Sequence, residues 1–236
     1  MKQNAFIKSA VLAGSALFAG FAFAGESSPK AVIAPSSDLA VNFGVGYTDE
    51  YVFRGANLGD DLFEASIGVS GSGSLPGLGD IDLSAGLWIG TYNRDFLVQN
   101  TGIGVASLPP SIVTRGAHEL RINMEASKSL GSFDLAVGVT NYSYFGAISN
   151  VADNLEPYVA LGTELAGLAV GIGVYDTEDA DDPYWEITAG RSVDLGGLAL
   201  SVEGVIGTLN EFDDTFYGLS VGLPIAASDS ITVTPH

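Results

Sequence analysis

Charged residues recur near the middle of segments in which polar and apolar residues alternate. Six are glutamates and two are arginines, and within each segment they share the polar face: Arg54, Glu64, Arg121, Glu125, Glu156, Glu164, Glu186 and Glu203. Carboxylates that line one surface attract cations and repel anions. We therefore predict that these eight residues line an interior biased toward cations, a bias that the two arginines oppose.

A second group of carboxylates lies in the acidic segment 176–182. Five of its seven residues are acidic: Asp176, Glu178, Asp179, Asp181 and Asp182. Clustered carboxylate oxygens suit hard cations such as Ca²⁺, but the segment lacks the glycine and closing glutamate of an EF-hand loop. The pattern favours a solvated external loop without a cofactor. A second hypothesis is that this segment and the acidic segment 210–214 bridge divalent cations to lipopolysaccharide phosphates.

Nucleophilic catalysis has little support in the sequence. The chain has two histidines, His118 and His236, and no cysteine. A Ser–His pair needs its hydroxyl within hydrogen-bond reach of the imidazole, and no serine is fixed beside His118 by its sequence position. We predict that the protein is not an enzyme, with lipid hydrolysis through His118 as the weakest of three alternatives.

The elements that would position the charged residues are strands. In 119–128 (ELRINMEASK) the apolar residues fall on even positions, and the polar residues up to Ser127 on odd ones. This pattern puts them on opposite faces of a strand but would scatter them around a helix. The same period of two predicts eleven strands. They are Leu39–Phe53, Leu62–Gly71, Asp80–Tyr92, His118–Lys128, Phe133–Tyr144, Leu155–Ala166, Leu168–Tyr175, Tyr184–Ser192, Leu198–Thr208, Thr215–Ile225 and Ile231–His236.

The connections between these strands indicate an all-β, antiparallel transmembrane β-barrel. Short turns alternate with longer connections, as in outer-membrane barrels. The polar face is rich in glycine, which suits a barrel interior, whereas the exposed strands of a soluble sandwich or lipocalin-like barrel more often carry lysine. Membrane barrels have an even number of strands. We therefore expect about twelve strands when complete, with the last one missing from this C-terminally truncated chain.

The N-terminal segment predicts the compartment of the protein, and its net charge excludes one class of partner. Residues 1–24 carry an early positive charge and an apolar run ending in Ala22-Phe23-Ala24, which predicts a cleavable signal peptide. Residues 25–38 predict a flexible leader, and 39–236 the barrel. With Lys2 and Lys8 removed, 7 basic residues face 28 acidic ones, which argues against nucleic acid as a partner.

The end of the first predicted strand carries a resemblance to a known family. Residues 47–55 (YTDEYVFRG), followed by Asp60-Asp61 and a second alternating strand, resemble the Tyr-x-Phe-Arg-Gly element of the TorF family of Gram-negative outer-membrane proteins. The resemblance implies a membrane barrel with a porin-like role and supplies no catalytic residues. In our interpretation Tyr51 and Phe53 face lipid, and Arg54 faces the interior near Glu64.

These patterns together predict passive diffusion of small solutes through a barrel in the bacterial outer membrane, in contact with its lipids and lipopolysaccharide. The alternative is a non-conducting structural or surface-binding barrel whose acidic loops bind divalent cations or partners, because a barrel of this size can be filled by its own side chains. The predicted connection Asn93–Ala117 carries Arg94 and Arg115, and it forms either an external loop or an inward-folded plug.

Overall fold

The computed structural model describes residues 39–98, 111–146, 148, 152–176, 182–196, 199–209, 214–223, 225–228 and 231–233. Its long strands are β1 (Leu39–Phe53), β2 (Ala56–Leu75), β3 (Gly79–Val98), β4 (Ser111–Leu130), β5 (Phe133–Gly146), β6 (Asn154–Leu165), β7 (Leu168–Tyr175), β8 (Tyr184–Asp194), β9 (Ala199–Leu209) and β10 (Asp214–Gly222). Two short strands, β11 (Ile225–Ser228) and β12 (Ile231–Val233), form a separate hairpin. The predicted signal peptide and leader lie outside the described residues.

The ten long strands form one antiparallel sheet in the order β1 to β10, so each strand pairs with its neighbours in the chain. The sheet is strongly curled into a half-barrel, and within the described residues β1 and β10 do not pair to close it. The all-β, antiparallel, barrel-like prediction is confirmed. The described residues contain no helix long and apolar enough to cross a membrane.

Strands β2, β3 and β4 are longer than the alternation predicts. The ladder between β3 and β4 continues from Asn93, opposite Gly116, to Val98, opposite Ser111. Both ends of the predicted connection 93–117 are therefore strand, and Arg94 lies opposite Arg115 across the ladder. Once two antiparallel strands are aligned, their backbone hydrogen bonds extend the pair past the point where the side-chain pattern weakens. Residues 99–110 lie outside the described residues.

The two faces of the sheet have opposite polarity. The outer face carries large apolar side chains that are mostly exposed, for example Phe43 at 72% and Val45 at 81%. The inner face buries charged and hydrogen-bonding side chains such as Glu119, Arg121 and Glu156. This is the reverse of a protein folded in water, where charged residues are rarely buried and large apolar ones usually are.

The alternation reverses direction within β1. Tyr47 is 53% exposed on the outer face, whereas Tyr51 is 1% exposed and Phe53 packs against the same interior cluster. The change of face falls between Thr48 and Tyr51, where the β1–β2 ladder skips Asp49 and Asp61 and Asp61 has a positive φ of 55°. A local irregularity of this kind changes the direction of the side chains that follow it. The prediction that Tyr51 and Phe53 face outward is therefore wrong.

A close approach inside the sheet predicts the effect of one substitution. A Cβ atom on Gly138 of β5 would meet the ring of Tyr158 and lie 2.7 Å from the carbonyl oxygen of Met124. Because backbone cannot move aside easily, we expect Gly138→Ala to cost about 1–3 kcal/mol of unfolding free energy. Urea unfolding of the refolded protein measures this cost. Gly116→Ala is the control, since a Cβ there meets nothing within 4 Å, and equal losses in both variants would contradict the prediction.

Candidate functional site

The charged and aromatic side chains of the inner face collect at one end of the sheet, away from the short turns at 76–78, 131–132 and 166–167. We call this group the inner layer; its members are Tyr51, Phe53, Arg54, Trp88, Glu119, Arg121, Tyr142, Glu156, Tyr158, Tyr175, Tyr184, Glu186 and Phe216. The strands lie side by side at this end of the sheet, and the curl of the sheet brings residues that are distant in sequence close together. The inner layer is the candidate site.

Arg54 reaches into the inner layer from the two-residue turn between β1 and β2. Arg54 and Gly55 both have positive φ, 49° and 77°, as tight hairpin turns require. The guanidinium donates two hydrogen bonds to the Glu156 carboxylate of β6, at 2.6 and 2.7 Å. Tyr142 donates a third to that carboxylate at 3.1 Å. The predicted pairing of Arg54 with Glu64 is wrong, because the curl of the sheet brings Glu156 on β6 across the interior to this turn.

Arg121 forms a second ion pair within a single strand. Arg121 and Glu119 are two residues apart on β4 and therefore point to the same face. Arg121 Nε donates to Glu119 Oε1 at 2.6 Å, and Tyr51 donates to Glu119 Oε2 at 3.2 Å. Arg121 also donates to the Tyr51 hydroxyl. Both charged residues are about 1% exposed, so this pair is shielded from water.

Aromatic rings surround both guanidinium groups. The Arg54 carbon Cζ lies 4.0, 4.8 and 5.1 Å from the ring centroids of Tyr184, Phe53 and Tyr175. The corresponding distances for Arg121 are 4.4, 4.5 and 5.2 Å, to the rings of Trp88, Phe53 and Tyr142. These distances are within the range of cation–π attraction. Each arginine is therefore held by one carboxylate and by several ring faces.

One wall of the inner layer is a row of aromatic rings on β6, β7, β8 and β10. Tyr158, Tyr175, Tyr184 and Phe216 follow each other with centroid separations of 5.4, 5.4 and 6.0 Å. Tyr175 and Tyr184 donate hydrogen bonds to the two oxygens of Glu186, at 2.7 and 2.8 Å. The carboxylate thus holds both rings in place.

The remaining predicted interior residues are spread along the inner face. Glu64 accepts a 2.6 Å hydrogen bond from Trp88 Nε1, and Glu125 accepts one of 2.7 Å from Tyr158. Glu164 and Glu203 are exposed and do not join the inner layer. The structure therefore brings Arg54, Arg121, Glu156 and Glu186 together, places Glu64 and Glu125 beside them, and leaves Glu164 and Glu203 apart.

The sequence interpretation missed the aromatic residues of the inner layer, although strand parity marks them. Tyr184 lies two residues before Glu186, and Tyr158 two residues after Glu156. Residues two apart on a strand share a face, so each tyrosine had to face the interior if its glutamate did. The predicted face of each glutamate was therefore enough to predict the face of the tyrosine two residues away.

The structure describes only part of the predicted metal site and one of the two histidines. Asp176 and Asp182 are described, while Glu178, Asp179 and Asp181 of the acidic segment lie outside the described residues. Among the residues that the structure describes, no group of three or more histidine, aspartate or glutamate side chains could hold a metal ion. His118 Nδ1 lies 3.0 Å from Thr91 Oγ1, and His236 is not described.

Fold and site together define an all-β, barrel-like protein with a charged and aromatic interior. In comparisons with protein-family models, curated proteins and solved structures, no match to this chain is found. The functional argument therefore depends on the geometry of the chain itself.

Proposed function

We propose that the protein is an outer-membrane β-barrel of Gram-negative bacteria that lets small solutes, preferably cations, diffuse passively. The signal-peptide pattern of residues 1–24 and the resemblance of residues 47–55 to the TorF family support this location. We also propose that outer-membrane lipid and lipopolysaccharide surround the sheet. A secondary hypothesis is that the acidic segment 176–182 bridges divalent cations to lipopolysaccharide.

The observation that carries the proposal is the reversed polarity of the sheet. Exposed apolar side chains extend along the outer face of the strands, for example Val45 on β1, Ile187 on β8 and Leu219 on β10. A surface this apolar is costly in water but suits the hydrocarbon of a bilayer. Strands β2 to β9 each have a hydrogen-bonded neighbour on both sides, as a bilayer requires of a spanning strand.

The charge on the inner face supports a preference for cations. Each inner-layer arginine has a glutamate partner, Glu156 for Arg54 and Glu119 for Arg121. Five more glutamates on the same face leave the interior acidic: Glu64, Glu125, Glu164, Glu186 and Glu203. Negative charge along a narrow path attracts cations and excludes anions.

The burial of the inner layer favours the second candidate, a non-conducting barrel. Glu156 is 2% exposed and Arg121 is 1% exposed, so these side chains fill the part of the interior where they lie. A small barrel filled in this way can serve as a structural or surface-binding protein. The two candidates differ in whether a water path passes the inner layer.

Ion conductance of the refolded full-length chain in a planar bilayer distinguishes the two candidates. Under a salt gradient we expect reproducible conductance steps and a reversal potential that shows cation preference. The double variant Glu64→Gln/Glu125→Gln should reduce the cation-to-anion permeability ratio several-fold, because both residues lie on the inner face. Asp95→Asn, which removes an exposed carboxylate, should leave the ratio unchanged. A folded protein that produces no steps would overturn the porin proposal and favour the non-conducting barrel.

A further inference from the structure

The surroundings of Arg54 have the composition of a binding site for a guanidinium group. Glu156 accepts two parallel hydrogen bonds from the two terminal nitrogens, the geometry in which a carboxylate recognises a planar guanidinium. Tyr184 and Tyr175 present their ring faces at 4.0 and 5.1 Å. We call these three residues, together with Phe53, the guanidinium cage.

The walls of the cage are held without the help of Arg54. Glu156 lies on β6 and also accepts the hydrogen bond from Tyr142. Tyr175 and Tyr184 are opposite each other in the β7–β8 ladder and are fixed by Glu186. Only Phe53, the last residue of β1, adjoins Arg54 in the chain. Most of the cage is therefore preorganised for a planar cation, which lowers the cost of binding one.

Arg54 lies in a turn, whereas the walls of the cage lie on strands. It lies in the two-residue turn with a φ of 49°, a conformation that residues with a side chain rarely adopt. Arg121, in contrast, lies mid-strand and is paired with Trp88 on one side and Tyr142 on the other. Displacing Arg54 from the cage would therefore involve a turn, whereas displacing Arg121 would involve the middle of β4.

We propose that the guanidinium cage is a binding site for small solutes that carry a guanidinium group, and that Arg54 is the built-in occupant that such a solute displaces. The inference rests on the proposed function, since solutes must reach the interior. It specifies the substrate class as guanidinium-bearing organic cations. It also makes the Arg54 turn the element that obstructs the interior when no solute is bound.

The test compares binding of methylguanidinium to the refolded wild type and to Arg54→Ala, by calorimetry in detergent. If Arg54 fills the cage more than nine-tenths of the time, its removal should tighten binding by about tenfold or more, because apparent affinity scales with the fraction of open sites. Methylammonium, which cannot form the two parallel hydrogen bonds, should show a much smaller gain. Arg54→Ala/Glu156→Gln should lose the gain, and Arg191→Ala, which removes an exposed arginine at the other end of β8, should bind like the wild type.

Equal affinities of the wild type and Arg54→Ala for methylguanidinium would overturn the inference, as would unchanged binding after Glu156→Gln is added. Electrophoretic mobility with and without heating reports whether each variant is folded. If Arg54→Ala does not fold, Arg54→Lys replaces it: a lysine competes less well for the cage, so binding tighter than wild type supports the inference and equal binding contradicts it. Conductance is measured separately. A protein that binds but never conducts overturns the porin proposal alone, and one that conducts without binding overturns only the cage.

Discussion

Arg121→Met is expected to lower the free energy of unfolding by about 3–5 kcal/mol, the usual cost of removing one partner of a buried ion pair. Arg121 is about 1% exposed and donates to both Glu119 and Tyr51. Methionine fills a similar volume but leaves the Glu119 carboxylate with the Tyr51 hydroxyl as its remaining donor in this group. Urea unfolding of the refolded protein in lipid vesicles measures the loss.

Two variants separate the charge effect from lost packing. Arg121→Met/Glu119→Leu removes both charges and should recover much of the stability, because apolar replacement of a whole buried pair is often neutral. Arg191→Met removes an exposed arginine of β8 and should change stability by no more than about 0.5 kcal/mol. If Arg121→Met cost as little as Arg191→Met, the buried pair would not be a stabilising element of the interior.

Ile187→Arg is expected to destabilise the barrel in a bilayer by about 2–4 kcal/mol, the cost of an arginine facing lipid near the midplane. Ile187 is 51% exposed on the outer face of β8 and lies opposite Ile172 and Ile206 in the neighbouring strands. In water, an exposed arginine at this position would be tolerated. The variant therefore tests whether the outer face contacts lipid, by urea unfolding from vesicles and by the yield of folded protein.

Leu195→Arg is the matched control, since Leu195 is exposed but lies beyond the end of β8. Near the membrane interface the cost of an arginine falls to about 0–1 kcal/mol, so the two variants should differ clearly in a bilayer. Equal, small effects at both positions would contradict the membrane proposal. This outcome is independent of conductance, so the location and the porin role are tested separately.

The strands and their faces could be predicted because alternation is a local property. The bounds of β1 and β7 follow directly from the sequence pattern, and the other long strands differ mainly at their ends. The period of two was enough to predict that Arg121, Glu156 and Glu186 lie on the polar, inner face. Residues two positions apart on a strand share a face, so each of these residues lies on the same side as its polar neighbours. The antiparallel order followed from short turns joining consecutive strands.

The tertiary structure decided which of these residues meet. Arg54 and Glu156 are 102 residues apart, and only the curl of ten strands brings the β1–β2 turn onto β6. The irregularity at Asp49 and Asp61 turned Tyr51 and Phe53 inward, against an alternation that is regular through Tyr47. A period of two specifies on which side of its own strand a residue lies. It carries no information about distances across the interior, because these depend on how the whole sheet twists and curls.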